Sequence, residues 1–216
     1  MMADHDIEYL VDEISKVIGI VESAKKVYDS KPTIEVLPEA FVEITKHLPL
    51  VNESLKIVSD VIQGVEFNDA LYQSIESTTG SCEQKAARLN KIFRKCLPES
   101  KIPALDRYKK AIIQFGKDHM VEVLMKSLLE DVRKLAEPDA IKSATKVQLE
   151  KLSEAIEVVS KLEPSIRDDS NGNPATYVHH GSGPQNIHTG HGHINSVSGE
   201  GNQFVAERLE YNVGGR

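Results

Sequence analysis

The chain contains no tryptophan, and its aromatic residues amount to only 5% of the total. A core without large rings favours helices packed through Leu, Ile and Val over a β-sandwich. Cysteine is nearly absent too. Cys82 and Cys96 stand fourteen residues apart within a helical pattern, about 21 Å along a continuous helix and too far for a disulfide. They read as reduced thiols of a cytosolic protein. No stretch reaches the roughly 20 uncharged apolar residues of a spanning helix. No block of like charge occurs, and a net charge of −7 gives no nucleic-acid footprint. The early acids Asp4, Asp6 and Glu8 have the wrong sign for the start of a secretory signal.

Catalytic signatures are missing as well. The chain has no Walker phosphate loop, no G-x-S-x-G elbow and no H-E-x-x-H pair. No nucleophile or base can be named, so the expectation is a protein that is not an enzyme, with no catalytic residues and no cofactor.

What is present is helical periodicity with clear punctuation. Ile7, Leu10, Ile14, Val17, Ile18 and Val21 make a broad apolar stripe over residues 7–28. A bundle helix is the first reading of it. The same six residues are the candidates for a membrane-seeking or partner-binding helix, although the polar face is not basic. Leu37-Pro38-Glu39 opens a second helix, with Pro38 at the first helical position, and Pro49 kinks or splits it. Gly64 closes it. Asn68 is a fitting N-cap for a third helix, Asp69 to about Leu97. Thr78-Thr79-Gly80-Ser81 weakens its middle, leaving two shorter helices as an alternative. Ala104 to about Ala136 reads as one fourth helix with Gly116 inside it, at about 1 kcal/mol against Ala. Pro138 to Leu162 makes a fifth, and Pro164 stops it. The fold expected is an all-α bundle of five to six helices over residues 1–163.

Past Pro164 the texture changes. Residues 164–176 are a polar, turn-rich linker that cannot bury enough apolar area to fold. Nine of the thirteen glycines and five of the eight histidines follow residue 164. Within 177–216, Gly181-x-Gly183, Gly190-x-Gly192 and Gly199-x-Gly201 recur at a nine-residue step. Behind the pairs stand Gln185-Asn186, Ile194-Asn195 and Gln203-Phe204. A constant step lets each unit stack on the next or on a copy from another chain. Glycine permits the corners, and Asn and Gln form side-chain ladders between strands about 4.8 Å apart. One tail is too short to stack alone, which predicts a disordered, amyloid-prone segment that orders when copies or a template arrive. His179, His180, His188, His191 and His193 lack Cys or carboxylate partners at ligand spacing, so no metal site is assigned. A metal-responsive helical adaptor built on those histidines, or a plain oligomerising interaction module, is the alternative from another class.

Two resemblances follow. The tail from Gly183 to Gln203 resembles the fungal sigma-type amyloid motif, with His in its triplets where Asn or Ser is usual. The body resembles SesA, the helical module at the N-termini of fungal NACHT and other P-loop NTPase immune receptors. Three segments carry that likeness: Leu37–Val51, Cys82–Phe93, and Arg107–Ala111 continued by Gly116–Lys126. Together the resemblances imply a non-enzymatic effector of fungal regulated cell death or heterokaryon incompatibility. An NLR-like NTPase receptor with a matching motif would template its tail, and the helical domain would then act by clustering or membrane disruption. The chain carries no NTPase and is expected to be the receiving partner. Its implied partners are itself and the receptor, with membrane contact after activation and no nucleic acid. Its implied place is the cytoplasm, moving to the plasma membrane on activation.

Overall fold

The computed structural model describes residues 4–30, 37–66 and 68–166, with the side chains of 4–6 left aside. Among them there are six α-helices, one 3-10 turn and no strand. The helices are α1 (Asp4–Asp29), α2 (Glu39–Ile62), α3 (Asp69–Cys96), α4 (Ala104–Phe115), α5 (Val121–Ala136) and α6 (Asp139–Ser160). The 3-10 turn Lys117–His119 joins α4 to α5. By compactness the chain divides into residues 1–167 and 168–216.

The apolar periodicity becomes packing in a simple way. On α1, Leu10, Ile14, Val17, Val21 and Ala24 are buried at the i, i+3, i+4, i+7 spacing of one helix face. That face meets α2 and α3. α5 meets α2, α3 and α6, and α2 in turn packs on α6. α4 attaches to α3. Each fully buried Leu or Ile side chain contributes about 1.5–3 kcal/mol relative to exposure, which is why propensity lapses along these helices are tolerated.

The scarce rings are concentrated in one chain of contacts. Tyr28 of α1 lies 6.0 Å from Phe93 of α3. Phe93 stacks on Phe41 of α2 at 5.7 Å. Phe41 meets Tyr108 of α4 edge-on at 4.8 Å. Four helices are thus joined through rings at separations where aromatic pairs attract. Cys82 and Cys96 are free and buried. Burial pushes the Cys82 thiol up to about 12 and the Cys96 thiol up to about 11.

Helix starts follow the proline punctuation, with the helices after Pro38 and Pro138 beginning one residue later than expected. Pro38, Pro103 and Pro138 each occupy the N-cap position just before the helix. Their carbonyls accept the first backbone bonds, from Phe41 (2.9 Å), Arg107 (3.1 Å) and Lys142 (2.8 Å). Proline gives up no useful donor there. Asn68 caps α3 as its sequence suggests, its Oδ1 accepting from the Leu71 amide at 2.8 Å. α3 is one helix through Thr78–Ser81, with Thr79 and Cys82 buried on its inner face. α2 likewise runs unbroken through Pro49, whose ring is on the exposed side.

The expected fourth helix needs correction. It is two helices, broken at Gly116. That residue has φ 98° and ψ 163°, a conformation that only glycine adopts without strain. A Cβ there would sit 2.6 Å from Asp118 Oδ1. The Gly116 amide still bonds Ile112 O at 2.8 Å, while His119 and Met120 turn back onto Gly116 O and Lys117 O. A helical glycine costs about 1 kcal/mol, and here it redirects the chain instead.

Candidate functional site

The break at Gly116 has a geometric result: it brings the first turn of α5 within reach of the Tyr108 side chain of α4. The opening amides of a helix lack internal partners, and Met120, the N-cap residue of α5, supplies no side-chain cap. The need is met from the neighbouring helix. The Val121 amide donates to the Tyr108 hydroxyl at 3.1 Å. Tyr108 is fully buried, and burial pushes its phenol well above the usual tyrosine range. It therefore stays protonated at any physiological pH and keeps a proton to donate.

The partner for that proton comes from the end of the described chain. Tyr108 Oη lies 2.6 Å from Ser165 Oγ. With the Val121 amide donating to the phenol, the arrangement that satisfies every proton has the phenol donating to Ser165. A second bond fixes the same residue: the Ser165 amide donates to Glu122 Oε1 at 2.8 Å. Glu122 is buried in the first turn of α5, where a negative charge favours the helix dipole. Ile166 packs against the core just beyond. Tyr108, Glu122 and Ser165 form a clamp on the segment that leads out of the bundle towards the tail.

A hydrogen bond to a carboxylate contributes about 1.5–3 kcal/mol. Glu122 Oε2 is buried with no partner, so the Ser165 amide on Oε1 is the contact that satisfies this side chain.

Two other polar clusters serve the fold. Lys85 of α3 reaches across to Asp131 of α5 in a short ion pair. Burial alone would raise the Asp131 carboxyl, but hydrogen bonds from Lys85, Ser81 and Lys134 together hold it below the usual carboxylate range. Between α1 and α2 lies a groove of about 680 Å³. Its Lys25 is paired with Asp29 and its Lys56 with Glu22, so it offers no net charge to a ligand. No cluster of potential metal ligands occurs among the described residues.

The expected site residues divide in two. On α1, Leu10, Ile14, Val17 and Val21 are buried in the core, and Ile7 and Ile18 are half-buried against neighbours. They reach a membrane or partner only if α1 leaves the bundle. No helix among the described residues is long and apolar enough to cross a membrane. The assembly residues Gly181, Gly183, Gln185, Asn186, Gly190, Gly192, Ile194, Asn195, Gly199, Gly201, Gln203 and Phe204 lie outside the described residues. Sequence reasoning missed the clamp. Its signals were a tyrosine within the apolar stripe of Leu105, Ile112 and Phe115 and a glutamate opening an apolar helix.

Residues 14–135 match the SesA family, described as the N-terminal domain on NACHT NTPases and P-loop NTPases. The chain belongs to the SesA family. The match runs from the third turn of α1 to the end of α5 and so includes Tyr108, Gly116 and Glu122. It stops before α6, yet Ile141, Leu152 and Val159 of α6 are buried in the same core as the SesA helices. Thr145 of α6 donates to Ala136 O at 2.7 Å, closing the end of α5. No curated protein and no solved structure matches the chain.

Proposed function

We propose that this SesA protein is a non-enzymatic effector of fungal regulated cell death, switched on through its C-terminal tail. The reading is carried by the nine-residue step at Gly181, Gly190 and Gly199, set behind a domain of a family found on NACHT and P-loop NTPases. Residues 177–204 assemble as an amyloid when a receptor NTPase with a matching motif presents a template. Asn186, Asn195 and Gln203 ladder on the copies above and below. The helical domain, gathered at high local density on the growing fibre, then acts by clustering or at the plasma membrane. This is the logic of multivalency: tethering raises effective concentration without any new contact. The protein waits in the cytoplasm, in defence or heterokaryon incompatibility, and needs no cofactor.

The clamp gives the tail a mechanical route into the bundle. A tail drawn into a fibre pulls on Ser165, and Ser165 is bonded to the α4–α5 junction.

Seeding tests the proposal. Preformed fibres of a 177–216 peptide are expected to abolish the lag in assembly of the full-length protein. A peptide of the same composition, scrambled to destroy the step, is expected to leave the lag unchanged. Equal seeding by both peptides contradicts the reading.

A further inference from the structure

Charge is unevenly shared along this acidic chain. Residues 85–119 carry ten of its 26 Lys and Arg but only three of its 33 Asp and Glu. The segment runs from the second half of α3 through α4 to the 3-10 turn. Arg88, Lys91 and Lys95 follow one another at i, i+3, i+7 on α3 and are exposed. The ammonium groups of Lys91 and Lys95 lie 4.5 and 4.7 Å from the centre of the Phe115 ring, and Lys95 donates to Gln114 at 2.6 Å. The basic stripe of α3 therefore adjoins the end of α4.

α4 extends that face outward. Ala104, Tyr108, Ala111 and Ile112 define its buried side. Lys109, Lys110 and Ile113 fall opposite and are exposed. Four surface lysines elsewhere are paired within their own helix: Lys16 with Glu13, Lys25 with Asp29, Lys46 with Glu43 and Lys161 with Glu157. Lys109 and Lys110 have no such partner among the described residues. The acids of the segment are Glu99, Asp106 and Asp118, and Asp118 is engaged by His119. Between the lysines stands Ile113, 85% exposed, the barest large apolar side chain among the described residues. Ile113 shares the exposed side of α4 with Lys109, Lys110 and a single acid, Asp106, so a large apolar group stands beside a pair of cations.

The geometry points to a peripheral membrane-binding face, formed by α4 and the C-terminal half of α3, that docks on a bilayer surface rich in anionic lipid. Its lysines and arginines meet the headgroups, with long stems that let the charge stay in the polar layer. Ile113 enters the boundary between headgroup and chain. Phe115, the ring beside the face, is roofed by Lys91 and Lys95. The face therefore lacks the open aromatic platforms that bind single-stranded nucleic acid. The inference deepens the proposed action of the helical domain at the plasma membrane, and it does not depend on assembly of the tail.

Sedimentation of the full-length protein with vesicles tests it, using phosphatidylcholine alone and phosphatidylcholine mixed with phosphatidylserine. Binding is expected only to the mixed vesicles and weakens with salt. Replacing Lys109→Glu and Lys110→Glu together lowers the affinity at least about tenfold. Ile113→Ser weakens binding at low and high salt alike, and both variants keep the helical circular dichroism of the parent. Equal binding to the two vesicle types, or full binding by the double variant, overturns the inference. So does preference for a short oligonucleotide or an acidic polypeptide over the mixed vesicles.

Discussion

Tyr108 and Ser165 are separated by 57 residues in sequence and by 2.6 Å between hydroxyl oxygens. One belongs to the core of a SesA bundle, and the other is the next-to-last described residue before the tail. The contact ties the exit segment to α4.

Removing that hydroxyl should loosen the exit without unmaking the fold. Tyr108→Phe keeps the ring against Phe41 but leaves the Val121 amide without its acceptor. The expected loss is about 1–3 kcal/mol, read as a lowered midpoint in urea. Limited proteolysis should also cut faster just after residue 164. Ser165→Ala should speed the same cleavage with a smaller loss of stability. A clamp with no role in holding the segment would leave the cleavage rates of both variants at the parent level.

Gly116→Ala is predicted to be costly because of its backbone. Positive φ is unfavourable for any residue with a side chain, whereas the contact of the new Cβ with Asp118 Oδ1 at 2.6 Å is with the end of an exposed side chain that can turn aside. Strained backbone of this kind costs about 1–3 kcal/mol. Adding Asp118→Ala relieves the clash but not the dihedral, so the double variant should recover only part of the loss in thermal unfolding. Full recovery would assign the whole cost to the side-chain contact.

These two sites show what a sequence can and cannot convey. The α1 stripe at Leu10, Ile14, Val17 and Val21 was legible because burial on a helix has a fixed period. Asn68 was legible because capping is local chemistry. Gly116 was visible as an anomaly, but its φ was not, since propensity gives the cost of glycine in a helix and not the direction a chain takes when the helix ends. The clamp was illegible because Tyr108, Glu122 and Ser165 meet only after α4, α5 and the exit segment have packed. The charge face was hidden for a related reason: its cations are spaced, not contiguous, and helical geometry gathers them.

The Lys85–Asp131 pair should be worth more than a surface bridge. Lys85→Met leaves a buried carboxylate supported only by Ser81 and the more exposed Lys134. Breaking a pair of this kind costs about 3 kcal/mol at neutral pH. Because the Asp131 carboxyl is held below its ordinary value in the fold, its contribution is present above the unfolded carboxylate pKa and disappears as pH falls through the folded one. The stability gap between parent and variant should therefore shrink in acid, as urea titrations at pH 7 and in the acid range would show.

His47 sets a milder acid limit. Burial lowers its pKa, outweighing the attraction of Glu43 3.7 Å away. The folded state thus binds its proton less readily than the unfolded chain. The His47 contribution is full above the unfolded value of about 6.5 and declines as pH falls below it towards the folded value. Replacing His47 with Gln should flatten the stability profile between pH 7 and pH 5. An unchanged slope would show that the proton is taken up elsewhere.

The central claim concerns the tail, and fibre formation reads it most directly. The full-length protein and a chain ending at residue 176 are incubated side by side, followed by thioflavin fluorescence and fibre diffraction. The account predicts fibres with a meridional reflection near 4.8 Å from the full chain and none from the shortened one. Fibres of the same kind from the shortened chain would contradict it.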